Sequence, residues 1–247
     1  MTDAAFMAFL LVFVRCSAMF ATCPVFSSQS IPVQVRVFTT AAVSGALAFV
    51  IRPELGPPPS SLYELIAAAM REALSGVLIG SLVNLAMQGI QMAGSMMDLQ
   101  SGLGQSQALN PMSGVTSSVI SQFKSMLAVV IFLTTDAHHL MIQAFVRSYH
   151  VLPAFGQIQQ SFFAALEQIT VLSLQIAAPV MACGFVVDAA LALLARAVPQ
   201  MPAMMVGMPA KIGVGVATIA IGIPMTVAAV NAMLGVSFNA LAGIFRL

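Results

Sequence analysis

From Ile212 to Phe245 the chain runs 34 residues without a formal charge, and five other charge-poor windows come before it. They cover Ala4 to Phe26 with Arg15 inside, Val37 to Ile51, Leu62 to Met97, Ser125 to Val146, and Gln168 to Val187 continuing to Ala195. A helix that crosses the hydrocarbon layer of a membrane needs roughly 20 predominantly apolar residues. These windows therefore predict an all-α membrane protein of about six long apolar helices, some of them broken or re-entrant. The last window exceeds one span, so it must tilt, kink at Pro224 or leave the bilayer.

The charge count points the same way. Nine basic and eight acidic residues in 247, with 60% apolar, compare with roughly 25% charge in soluble domains. A water-facing globule is excluded, and residues 1–247 are expected to form a single integral membrane domain. A net charge of +1 supplies no basic excess to track a phosphate backbone, so nucleic acid is not an expected partner. Cys16, Cys23 and Cys183 lack metal-ligand or disulfide spacing and read as packing residues. No charged leader precedes the first apolar window, which is expected to be retained.

Breakers separate the windows. Pro24 to Pro32, Arg52 to Ser61 with Pro57-Pro58-Pro59, Pro153 to Gln160, and Pro199 to Pro209 read as connections. Residues 99–123 differ from both windows and breakers before Lys124: uncharged after Asp98, they are rich in Gly, Ser, Gln and Asn. Backbone that irregular must be surrounded by protein or water. Just before it, Ser81, Asn84, Gln88, Gln91, Ser95 and Asp98 recur at steps of three and four, which puts them on one face of one helix. Such a stripe lines either a watery path or a hydrogen-bonded seam between helices. Gly76 and Gly80 form a GxxxG pair suited to close helix packing one turn earlier.

Chemistry is sparse. Asp136-Ala137-His138-His139 offers metal-ligand types, but adjacent histidines point to different sides of a helix and a zinc site needs three or four ligands, so no metal is expected. Arg15, Glu167 and Asp188 are the charges expected nearest membrane depth. Neither a GxSxG, a Walker loop nor an HExxH motif occurs, and Gly102-Leu103-Gly104 lacks a preceding strand, so no catalytic or cofactor site is expected. If each window crosses once, four basic residues fall on each side, and charge bias gives no orientation.

The order of motifs resembles the FliR family of flagellar export-gate subunits and its virulence-secretion counterpart SctT, from about Phe9 to Gly215. Phe13-Val14-Arg15, Cys23-Pro24-Val25-Phe26 and Ser30-Ile31-Pro32-Val33-Gln34-Val35-Arg36 look like the family's first span and turn. Glu72 to Gly80 looks like its long-helix entry. Ala93 to Gly102 and Asn110-Pro111-Met112-Ser113-Gly114 resemble its central loop, although the family usually has Asp before that proline. Asp136-Ala137-His138-His139-Leu140, with Ala137 where Gly is common, Leu152-Pro153, Ala197-Val198-Pro199-Gln200, and Gly207-Met208-Pro209 with Lys211 complete the set.

That resemblance implies a subunit of a protein export channel. Residues 1–160 would form a FliP-like part and 161–247 a FliQ-like helical hairpin, joined with FliP-like and FliQ-like subunits in the bacterial inner membrane at the flagellar basal body. Gly102, Gly104, Asn110, Pro111, Met112 and Gly114 would belong to a plug loop, residues 99–123. Asn84, Gln88, Gln91, Ser95 and Asp98 would face the lumen or neighbouring subunits. Arg196, Pro199, Gln200, Gly207, Pro209 and Lys211 would sit at the cytoplasmic mouth near a FlhB-like switch protein. Unfolded export substrates and membrane lipid are the remaining implied partners. The rival from another class is a small proton-coupled transporter using Asp98, Asp136 or Asp188, for which two halves of related hydropathy are wanting.

Overall fold

The computed structural model describes residues 2–27, 31–51, 61–103, 118–149, 155–198 and 203–245. Every regular element among them is helical: α1 (Thr2–Thr22), α2 (Pro24–Ser27), α3 (Val33–Ile51), α4 (Leu62–Ser101), α5 (Val119–Thr134), α6 (Ala137–Arg147), α7 (Phe155–Ala197), α8 (Ala203–Ile221) and α9 (Ile223–Phe245). By length and composition α3, α4, α7 and α9 can cross a membrane, and the bent pair α5 and α6 supplies a fifth candidate. The chain is an all-α membrane protein with several membrane-spanning candidates.

Helices α4 and α7, of 40 and 43 residues, are about 60 and 65 Å long at 1.5 Å per residue. A hydrocarbon layer is only about 30 Å thick. Each helix therefore reaches well past the lipid tails or lies strongly tilted in them.

Three window boundaries move. Lys124 does not end a span but sits inside α5, because its amine finds a hydroxyl partner within the packing. The Ser125 to Val146 window is two helices, bent by 66° at Thr135 and Asp136. The final window divides at Gly222, where Pro224 has no N–H for the carbonyl of Ala220. Gly222 N to Thr218 O at 2.9 Å and Thr226 N to Gly222 O at 3.0 Å carry the hydrogen-bond ladder on either side of that break. The Pro199 to Pro209 stretch is also not all connection: α8 begins at Ala203 and runs through Gly207, Pro209 and Lys211.

The chain forms two compact units, each assembled from separate stretches. The first contains residues 1–86, 133–166 and 234–247; the second contains 87–132 and 167–233. In the first, Val12, Cys16 and Met19 of α1, Ile79 and Leu82 of α4, and Phe145 of α6 are fully buried. Gly76 and Gly80 are the reason α1 and α4 approach so closely. A Cβ at Gly76 would strike the Arg15 carbonyl and Ala18, and one at Gly80 would strike Thr22 and the Met19 carbonyl. In the second unit Ile90, Ala93 and Met97 of α4, Ala128 and Phe132 of α5, Ile176 and Ala177 of α7, and Met233 of α9 are buried. The three cysteines carry free thiols, two of them buried, in keeping with packing roles.

Candidate functional site

In the second unit, the polar stripe of α4 serves α5. Gln91 gives its side-chain N–H to Ser125 Oγ at 3.2 Å, while its carbonyl accepts from Ser121 Oγ at 3.0 Å. Gly94 lets the Ser121 backbone come this close, since a Cβ there would overlap it. Asp98 ends the stripe. Its Oδ2 accepts from the backbone N–H groups of Ile120 at 3.0 Å and Ser121 at 3.2 Å, two first-turn donors without intrahelical acceptors, the second of them shared with Ser118 Oγ at 3.3 Å. A buried carboxylate is favoured there by the partial positive charge of the helix N-terminus. Asp98 Oδ1 is buried without a partner among the described residues. Gln88, Gln91 and Ser95 are exposed, and Ser81 and Asn84 half-buried. The stripe is thus a seam with α5 at Gln91 and Asp98 and an open polar face between them.

Just beyond Asp98, the end of α4 is gripped by α7 and α8. Gln100 donates to Asp188 Oδ2 at 3.1 Å, and Lys211 reaches both oxygens of that carboxylate at 2.8 and 2.9 Å. Small residues make room: a Cβ on Gly184 would enter the Gln100 side chain, one on Gly215 would press on Ser101, and one on Gly207 would meet Leu191. The pairs Leu191 with Gly207 and Asp188 with Lys211 run in opposite senses along the sequence, so α7 and α8 form an antiparallel hairpin. Gly102 follows with φ +80, a left-handed helix end that glycine adopts without steric cost. Gly104, Asn110, Pro111, Met112 and Gly114 lie outside the described residues. Pro199 and Gln200 do as well, while Arg196 is exposed on the last turn of α7.

A lysine that the sequence offered only as a boundary is buried in this unit. Lys124, 3% exposed, donates from Nζ to Thr226 Oγ1 at 2.7 Å, and Thr226 in turn donates to the Gly222 carbonyl at 3.1 Å. A cavity of about 20 Å³ adjoins it, lined among others by Met97, Pro179, Gly222 and Thr226. One of those residues, Pro179, lies inside α7 and has no backbone N–H to give to the preceding turn.

The first unit houses its charge differently. Arg15, 6% exposed, pairs with Glu72 through Nε at 2.7 Å and an amino group at 3.1 Å. Its other amino group donates to Ser148 Oγ at 2.6 Å, and its guanidinium lies 3.6 Å from the centre of the Tyr149 ring. The Tyr149 hydroxyl donates to Glu72 at 3.1 Å. The sequence marked Arg15 alone as a membrane-depth base; Glu72, Ser148 and Tyr149 are its unforeseen partners. Glu167 is exposed on α7.

Comparison with known proteins gives this arrangement a lineage. A family model described as bacterial export proteins, family 1, matches residues 6–236. The flagellar biosynthetic protein FliR of Bacillus subtilis is 33% identical over 85% of this chain and 83% of its own length. FliR of Caulobacter vibrioides is 33% identical over 86% and 87% of the two chains. The surface presentation of antigens protein SpaR of Shigella flexneri is 26% identical over 81% and 78%. With the family model spanning nearly its whole length, the chain belongs to the bacterial export proteins, family 1.

Proposed function

We propose that the chain is a subunit of a flagellar type III export gate, and that with FliP-like and FliQ-like subunits it forms the channel through which unfolded flagellar proteins cross the bacterial inner membrane. The family match over residues 6–236 carries this reading. Identity of 33% to two proteins named for flagellar biosynthesis, against 26% to SpaR, favours the flagellum over a virulence injectisome. The role is that of a conduit component, not a catalyst. Purification from cells that make the other gate components should recover several different small membrane proteins with this chain. Isolation of the chain alone would instead favour the transporter reading.

Within this proposal, residues 99–123 act as the plug. Their support is compositional: Gly and Ser leave a backbone that moves at modest cost, and the absence of charge up to Lys124 avoids holding a passing chain. The fixed ends at Gly102 and at Asp98-tethered α5 suit a segment that returns to one closed position. Arg196, Pro199, Gln200, Gly207, Pro209 and Lys211 would then meet a FlhB-like component at the cytoplasmic mouth, and residues 161–247 would act as the FliQ-like hairpin against a FliP-like part, 1–160. Deleting part of 102–114 is expected to make the assembled gate leak small ions; unchanged ion conductance across vesicles carrying the complex would remove the plug assignment.

A further inference from the structure

We propose that Asp136, His138 and His139 form a binding site for a divalent transition-metal ion of the zinc and nickel class. The three residues stand at the elbow where α5 turns by 66° into α6. One ligand atom from each lies within 4.8 Å of the other two. His139 Nδ1 is 3.3 Å from Asp136 Oδ1, and the two imidazole rings lie 4.3 Å apart with planes tilted by 33°. Successive side chains on a helix are separated by about 100°, which is why the sequence argued against convergence. The rings nevertheless come together in the first turn of α6.

Two further observations point to a missing ligand. Asp136 occupies the N-cap of α6 with φ 54 and ψ 24, yet its carboxylate makes no capping hydrogen bond, although that is the usual employment of aspartate there. It is also the single non-glycine residue with positive φ among the described residues. His138 Nδ1 is shut off from solvent and has no partner among the described residues. A neutral imidazole nitrogen left so is either a donor without an acceptor or a lone pair without a donor or metal.

Imidazole and carboxylate together suit zinc, nickel or copper better than magnesium or calcium, which prefer all-oxygen shells. Ligands about 2 Å from a tetrahedral ion sit a little over 3 Å apart. Reaching that spacing requires rotation of the Asp136 and His139 side chains, which are 73% and 65% exposed and also give the ion its entry path. Three protein ligands leave a fourth position for water or a group from a neighbouring subunit.

The test uses tag-free chain in detergent, stripped with chelator and titrated with Zn²⁺ by calorimetry and with Co²⁺ by visible absorption. One ion per chain is expected, with binding weakened at least tenfold in His138→Ala, His139→Ala and Asp136→Gly. Asp136→Gly is the sharpest variant, since glycine accepts the left-handed backbone and only the carboxylate is lost. Zinc should raise the thermal midpoint of the parent chain and leave that of Asp136→Gly unmoved. Absence of saturable binding, or binding that Asp136→Gly and His139→Ala leave within twofold of the parent, overturns the site.

Discussion

Arg15 and Lys124 are both cations buried among apolar helices, 6% and 3% exposed, yet they are housed in opposite ways. Arg15 has a carboxylate on two of its nitrogens, a hydroxyl on a third and an aromatic face against its plane. Lys124 has one hydroxyl and a small cavity. Part of the contrast is chemical: a guanidinium offers five donors in a rigid fork, an ammonium three around a point. The rest is architectural. In the first unit the charge network ties α1 to α4 and to the residues after α6, and every partner is itself engaged. In the second unit Lys124 Nζ has one described hydrogen bond, to Thr226, and Asp98 Oδ1 is buried without a partner among the described residues; both groups lie close in sequence to the ends of the Gly-rich segment. A fully satisfied buried network rigidifies, whereas a partly satisfied one leaves its arrangement less fixed. The Arg15 cluster has the character of a frame, and the neighbourhood of Asp98 and Lys124 that of a part built to rearrange.

The largest expected effect comes from breaking the frame. Glu72→Gln leaves the Arg15 guanidinium buried without its counter-charge and should cost about 3–5 kcal/mol, read as a large fall in the thermal unfolding midpoint in detergent. Arg15→Met combined with Glu72→Met should recover most of that loss, because apolar replacement of a whole buried pair is often close to neutral. A Glu72→Gln chain that unfolds with the parent would dissolve the contrast between the two units.

Next in size is the tether in the second unit. Asp98→Ala removes the acceptor of the Ile120 N–H and one of the two acceptors of the Ser121 N–H at the start of α5 and should cost about 1–3 kcal/mol. Hydrogen exchange sharpens the comparison: faster exchange is expected at Ile120 and Ser121, with no change around Tyr149. Uniformly faster exchange would mean that Asp98 supports the fold at large instead of the root of one segment.

The Asp188 and Lys211 pair lies between these extremes. It is only partly buried, with side chains 44% and 18% exposed, and solvent screens such pairs. Lys211→Met should cost about 1 kcal/mol or less in the isolated chain. A loss equal to that of Glu72→Gln would show that the hairpin grip on Gln100 is as closed as the Arg15 cluster.

The sequence made these differences only half visible. Charge-poor windows disclosed the helices, the spacing of Gly76 and Gly80 disclosed a tight crossing, and the three-four rhythm from Ser81 to Asp98 disclosed a polar face. Periodicity, however, describes one helix at a time. Arg15 with Glu72 are 57 positions apart and Lys124 with Thr226 are 102 apart, and nothing local says which faces will meet. Treating charges as window ends also misplaced Lys124, since a buried charge with a partner does not terminate a helix. The bend at Asp136 lacked the usual Pro or Gly mark; it rests on an aspartate in a left-handed conformation, which this residue type tolerates better than most.

The smallest effect on stability is expected where burial is greatest, and it decides the comparison. Lys124→Met keeps the length of the side chain, fills the same space and removes an ammonium whose described partner is the Thr226 hydroxyl alone. Burying a charge with so little compensation is unfavourable, so this variant should unfold at the parent temperature or above it. Thr226→Val, which removes that hydroxyl and leaves the amine with none of its described partners, should instead cost about 1–3 kcal/mol. If Lys124→Met were as damaging as Glu72→Gln, the amine would have strong acceptors in the cavity, such as ordered water, and both sites would be equally closed. A stable Lys124→Met chain that assembles but exports poorly would place the value of that charge in function, because the fold would be shown not to need it.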